Sequence, residues 1–188
     1  MASGHLDKLF SDLFAYQQQS SNDLPPVHLW NPPLSGDIDI VIDREGRWFH
    51  EGDEIKRASL VKLFASILTC EGDQYFLVTP VEKWRIKVDV APLFAISASR
   101  ELRAGVQAVC LTTLTGDTVV VDRDHPIFID PESELPMLKV RANLTALISR
   151  NSYYQLVDWA IEAAGDNSSE QGLYLSSMGE RFLLGQIS

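Results

Sequence analysis

Residues 37–55 read DIDIVIDREGRWFHEGDEI, and this stretch decides the fold class. Ile38, Ile40 and Ile42 recur at every second position, so they share one face of an extended strand. Asp43-Arg44-Glu45-Gly46 interrupts the alternation with residues suited to a tight turn. Trp48 and Phe49 then begin a return strand, which makes the stretch a β-hairpin.

Working outward, the segment before the hairpin, SSNDLPPVHLWNPPLSGD, is rich in Pro, Ser and Asn and reads as an extended connector pinned by Trp30. Residues 5–19 place Leu6, Leu9, Phe10, Leu13 and Phe14 at helical spacing, an apolar stripe opposite Asp7, Lys8 and Asp12. It would fold back on its own domain or dock on a partner. After the hairpin, KRASLVKLFASIL predicts an amphipathic helix over 56–68, with Leu60, Val61, Leu63, Phe64, Ile67 and Leu68 as its core side. Strand-like runs follow: YFLVTP, WRIKVDV, PLFAISA and QAVCLTTL. A turn at Thr115-Gly116-Asp117 leads into TVVVDRDHPIFID and MLKV. A helical stretch around NSYYQLVDWAIEAA, the polar loop GDNSSEQG and the segment LYLSSMGERFLLG complete the chain. Strands arriving in runs with few helices between them predict an α+β fold with mostly antiparallel sheet.

Composition agrees. The 188 residues are 45% hydrophobic, and a chain of this size buries about two-thirds of its unfolded surface, enough for a core without disulfide or metal. Cys70 and Cys110 sit among apolar neighbours outside any CxxC pair, as expected of buried free thiols in a reducing compartment. The formal charge of −10 opposes non-specific attraction to nucleic acid or anionic lipid. No run approaches the roughly 20 apolar residues of a membrane helix, and the start lacks a secretory pattern, so a cytoplasmic protein is expected.

The chain also echoes itself. VIDREGRWF (41–49) aligns without a gap on VVDRDHPIF (120–128), and RIKVDVAPLFAIS (85–97) on MLKVRANLTALIS (137–149). GERFLLG near the C-terminus resembles the hairpin return EGRWFHEG. A duplicated core is expected, with an N-terminal helix and connector over 1–27 and halves over 28–90 and 91–188.

One set of motifs carries a family resemblance. W-x-P-x-x-x-G-x-I-D-I-x-I runs from Trp30 to Ile42, followed by G-R-W-F-H-E-G and the helix from Arg57. Y-F-L-V-T-P-V-E-K spans Tyr75 to Lys83, and I-K-V follows at Ile86. Together they resemble the bacterial family called domain of unknown function 1285, over residues 28–185, with L-V-T-P-V-E-K the most specific part. The resemblance implies an α+β fold with a duplicated core and a C-terminal half similar to a pleckstrin-homology-like barrel. It also implies a small-molecule site between the halves, a nucleotide-like ligand and a role in signalling. It implies no activity.

The richest chemistry lies in T-P-V-E-K-W-R-I-K. A strand over Lys83–Val88 sends Lys83, Arg85 and Lys87 to one face and Trp84, Ile86 and Val88 to the other. Two readings stand: a solvated face whose cations are balanced by Glu82, Asp89 and cross-strand carboxylates, or an anion-binding strip. Arg57, at the start of the predicted helix, favours the second, because free N–H groups at a helix N-terminus attract anions. His50 and Glu51 resemble an acid/base or metal pair, but neighbouring strand residues face opposite ways and only His28 is near in sequence, so no metal is expected. Asp122, Asp124 and His125 read as turn residues. No phosphate-binding glycine loop, nucleophile elbow or zinc-protease motif occurs, and Cys70 lacks an evident histidine partner. The expectation is a non-catalytic, cofactor-free module, with a role in signalling, that binds a small anionic, nucleotide-like ligand at the interface of the two halves with Trp30, His50, Arg57, Thr79, Glu82, Lys83, Arg85 and Lys87. The alternative is a protein–protein interaction domain using the N-terminal stripe or the C-terminal half.

Overall fold

The structure, a computed structural model, describes residues 24–165 and 172–186. The helix expected over 5–19 lies outside the described residues, as does most of the polar loop before Gly172. The chain divides into two compact units. One comprises Trp48–Lys87 and the described residues up to Val41; the other comprises Ile42–Arg47 and the described residues from Val88 onward.

The first sheet contains β1 (Leu34–Ile42), β2 (Trp48–His50), β3 (Asp53–Glu54), β4 (Leu68–Glu71), β5 (Gln74–Val78) and β6 (Lys83–Val88), in the order β3-β2-β1-β6-β5-β4. The expected hairpin is present. Asp43 N–H donates to the Arg47 carbonyl at 3.0 Å, and Asp43 Oδ1 accepts the amides of Glu45 and Arg47 at 3.0 and 2.8 Å. Gly46 is required there twice over. Its φ is +79°, and a Cβ would lie 2.9 Å from Cβ of Phe94. The β2–β3 turn uses Glu51 and Gly52, both at positive φ, as a two-residue hairpin loop demands.

Helix α1 (Ala58–Ser66) is shorter than the periodicity predicts. Ile67 caps it, and Leu68 already belongs to β4, where it pairs with Leu77. Both remain fully buried, so the apolar spacing reports burial across a helix-to-strand junction. The core of this unit is built from Ile40, Leu63, Phe64, Leu77 and Ile86, with Trp48 stacked on Phe64 at 6.1 Å.

The second unit repeats the plan. Its sheet holds β7 (Leu93–Arg103), β8 (Val106–Thr113), β9 (Thr118–Val120), β10 (Ile127–Ile129), β11 (Pro136–Arg141) and β12 (Leu144–Ile148). Read from the β9 edge the order is β9-β8-β7-β12-β11-β10. Subtracting six from each label gives the order of the first sheet. β12 runs parallel to β7, with Ala146 opposite Leu93 and Ile148 opposite Ala95. The contacts joining β1 to β6 also advance together, Ser35 with Lys83, Gly36 with Trp84 and Asp37 with Arg85, so that central pair is parallel too. Each sheet is therefore a mixed one, two antiparallel three-stranded runs joined by a parallel seam.

The duplication is real, but the sequence echoes do not align its equivalent strands. Residues 41–49 join the first and second strands of their sheet; residues 120–128 join the third and fourth. What the two share is turn chemistry. Asp122 Oδ1 accepts the amides of Asp124 and His125 at 2.9 Å each, as Asp43 does in its own turn. The second echo likewise sets β6–β7 against β11–β12.

Helix α2 (Arg150–Ala164) follows β12, with Ser149 accepting the Ser152 amide as its N-cap. A hairpin of β13 (Gly172–Ser177) and β14 (Glu180–Gln186) completes this unit. Tyr153 of α2 donates its hydroxyl to the Leu184 carbonyl. Ser177, fully buried, accepts the Val109 N–H at 2.9 Å and donates to the Val121 carbonyl at 2.6 Å. Its hydroxyl thus completes a rung of the β8–β9 ladder whose other bond, Val121 N–H to the Val109 carbonyl, is direct.

Candidate functional site

All eight residues singled out in the sequence lie in the first unit. β6 is a strand, and its alternation is as expected. Ile86 is buried, Trp84 and Val88 are half-buried, and Lys83, Arg85 and Lys87 share the opposite face. Cross-strand register then fixes the neighbours. Phe76 on β5 stands opposite Arg85, and Thr69 on β4 stands opposite Phe76.

A row of alternating character crosses this face. Asp37 on β1 meets Nη1 of Arg85 at 3.3 Å. The Arg85 guanidinium carbon lies 6.0 Å from the centroid of the Phe76 ring, and Lys83 Nζ lies 4.4 Å from the same centroid. Beyond the ring, Lys83 Nζ donates to both carboxylate oxygens of Glu71, at 2.6 and 2.5 Å. The order is acid, arginine, aromatic, lysine, acid. Phe76 is only 4% exposed, so the two cations and their alkyl stems form part of the cover over the ring. The carboxylates are open to solvent, with side chains 73% exposed for Asp37 and 58% for Glu71. Arg85 Nε is buried and has no hydrogen-bond partner among the described residues. Lys87 is exposed and makes no ion pair among them.

The remaining candidates are placed differently. Thr79 is 1% exposed, and its hydroxyl is used within its own turn. It accepts the amides of Val81 and Glu82 at 3.3 and 2.9 Å and donates to the Glu82 carbonyl at 3.3 Å. Glu82 accepts the indole N–H of Trp84 at 3.3 Å. Arg57 is the exposed N-cap residue of α1 and makes no side-chain cap bond. His50 ends β2, half-buried, and its buried Nε2 has no hydrogen-bond partner among the described residues. Trp30 caps the short 3-10 turn Val27–Leu29. Neither His50 nor Arg57 forms a hydrogen bond or ion pair with the β6 cations.

The site residues that sequence reasoning missed are Asp37, Glu71 and Phe76. The alternation of β1 put Asp37 on the outward face, but which strands flank β6 was not legible. Elsewhere the chemistry is quiet. Among the described residues no group of three or more His, Cys, Asp or Glu is placed to hold a metal. Cys70 is half-buried rather than buried, and Cys110 is buried. Burial is the main cause that raises the Cys70 thiol above its usual range, with Asp73 and Glu71 adding to it against a hydrogen bond to Tyr75. That disfavours the thiolate a nucleophile needs. His125 Nδ1 lies 2.9 Å from Asp122 Oδ1 inside the turn they share. No helix among the described residues is long and apolar enough to cross a membrane.

The fold and this face define an α+β protein that uses one six-stranded sheet topology twice and carries a cation–aromatic row on the first sheet. The chain belongs to the domain of unknown function 1285 family: residues 25–91 match the family's N-terminal domain and residues 92–184 its C-terminal domain. It is similar to a DUF1285 family protein of Silicibacter pomeroyi DSS-3 of known crystal structure, at 39% identity over 93% of this chain and 95% of that one, with a TM-score of 0.78. A DUF1285 family protein from Shewanella baltica OS155 is 32% identical over 63% of this chain and 90% of its own, with a TM-score of 0.54. No curated protein matches the sequence.

Proposed function

We propose that this protein is a non-catalytic module that binds a small anionic, nucleotide-like ligand on the polar face of its first sheet, with Lys83, Arg85 and Lys87 as the binding cations. The observation that carries this reading is Arg85. Its guanidinium keeps a buried Nε–H without an acceptor among the described residues and spends Nη1 on an exposed carboxylate at 3.3 Å. Buried donors are nearly always satisfied, and an exception calls for an explanation. An anion seated beside Arg85 supplies one through charge-assisted hydrogen bonds. Lys83 and Lys87 on the same strand face would add attraction in an otherwise acidic protein.

The reading extends to a C-terminal half similar to a pleckstrin-homology-like barrel and to a role in signalling, both as the family resemblance implies. The test is a melting-temperature screen against inorganic phosphate, citrate, AMP and a cyclic dinucleotide, repeated with Arg85→Gln. Ligand at a hundredfold over its Kd adds about 2.7 kcal/mol. A shift of several degrees for one anion, lost in R85Q, supports the reading; no shift with any of them refutes it.

One observation favours a protein–protein interaction domain instead. Leu102 in the second unit is 76% exposed at the end of β7. On that reading Leu102→Ser would abolish capture of a host protein without lowering the melting temperature.

A further inference from the structure

Lys83 and Arg85 already hold anions, and both belong to the chain. Glu71 straddles the Lys83 ammonium with two oxygens, and Asp37 takes one nitrogen of Arg85. Both carboxylates reach β6 from other strands, Glu71 from two strands away across the Phe76 ring and Asp37 from the parallel neighbour β1. Their side chains are mostly exposed, whereas that of Lys83 is 13% exposed. Asp37 can therefore leave Arg85 at little cost, since exposed ion pairs are weak, whereas Glu71 leaves the mostly buried Lys83 only as another anion takes its place. Lys83, packed over the ring, stays where it is.

We infer that Glu71 and Asp37 are tethered competitors which set the charge of the ligand. This rests on the reading of the β6 face as an anion site. A ligand seated at the open Nε–H of Arg85 competes with Asp37 for the guanidinium charge, and it must part Glu71 from Lys83 to reach the ammonium. A monoanion replaces one carboxylate by another of equal charge and loses the advantage of the tether. A dianion such as a phosphomonoester spans both cations, which share one ring, and replaces two separate monoanions with one doubly charged group. The ligand class is thus a dianionic phosphate group, and monocarboxylates are excluded by competition rather than by shape. Once displaced, the two acids repel the bound dianion and limit its affinity.

The experiment is isothermal titration of AMP and of acetate into wild-type protein, Glu71→Gln, Asp37→Asn and the double variant, with circular dichroism to verify folding. Both substitutions fall on exposed side chains of unchanged size, so the folded state is retained. The expected result is AMP binding that tightens about three- to fivefold in each single variant and about tenfold in the double variant, as loss of an exposed competing pair implies. Acetate binding should be measurable only in the double variant. If wild-type protein binds AMP but the variants bind it no more tightly, the competitor role is overturned and the binding site stands. If neither wild-type protein nor the double variant binds AMP, both inferences fall.

Discussion

Lys83 lies across the face of Phe76, its ammonium 4.4 Å from the ring centroid. The lysine is on β6 and the ring on β5, two register positions apart on the same face, since Phe76 pairs with Arg85 and Val78 with Lys83. The ring thus serves two cations from one place and links the packing of the sheet to its surface charge.

Replacing Phe76 with Leu should cost about 1–2 kcal/mol, combining altered core packing with loss of the ring face. In a double-mutant cycle with Lys83→Met, urea unfolding should show a coupling of about 0.5–1 kcal/mol between the two positions. Zero coupling would mean the ring and the ammonium are merely adjacent.

Ser177 connects the terminal hairpin to the sheet of the second unit through one hydroxyl. Ser177→Ala leaves the buried Val109 N–H and Val121 carbonyl without that partner, and the expected loss is about 1–3 kcal/mol. Amide hydrogen exchange should accelerate at Val109 more than at Leu111 on the same strand.

Thr79→Val removes the hydroxyl that accepts two amides in the β5–β6 turn while keeping the side-chain shape. A loss of about 1–2 kcal/mol is expected, largely restored in Thr79→Ser. Thr113 accepts the Asp117 amide at 3.0 Å in the β8–β9 turn, so Thr113→Val should behave alike.

Acid should weaken the fold through Asp43 and Asp122. Partial burial raises the Asp43 carboxyl, but the amide and guanidinium of Arg47 and the amide of Glu45 outweigh it and hold the pKa below the ordinary value. For Asp122 burial again opposes, and the ring and amide of His125 with the amide of Asp124 prevail. A depressed folded pKa means the ionised form stabilises the fold. That contribution is complete above the unfolded carboxylate pKa of about 3.9 and is lost as pH falls through the lower folded value. Urea midpoints measured from pH 7 down to pH 2 should fall below about pH 4, and the fall should be shallower in Asp43→Asn/Asp122→Asn.

Local signals were legible in the sequence because they depend on neighbours along the chain. The Asp43–Gly46 turn, the strand at Lys83–Val88 and the helix around Leu63 and Phe64 all rest on spacing of a few residues. The parallel seams of β1 with β6 and β7 with β12 were not, since each joins strands some fifty residues apart and no short-range pattern encodes the partner. The duplication was inferred from turns that share Asp chemistry but occupy different places in the two sheets. The cations of the site could be read from alternation on one strand. Their partners Glu71 and Asp37 could not, because only sheet order brings them to that face.

The most direct measurement is a series of 1H–15N spectra of the protein with increasing AMP. Saturable shifts are expected at the amides of Lys83–Lys87 and their cross-strand neighbours Asp37 and Phe76, absent in Arg85→Gln. Spectra that do not change, or changes confined to residues of the second unit, would contradict an anion site on β6.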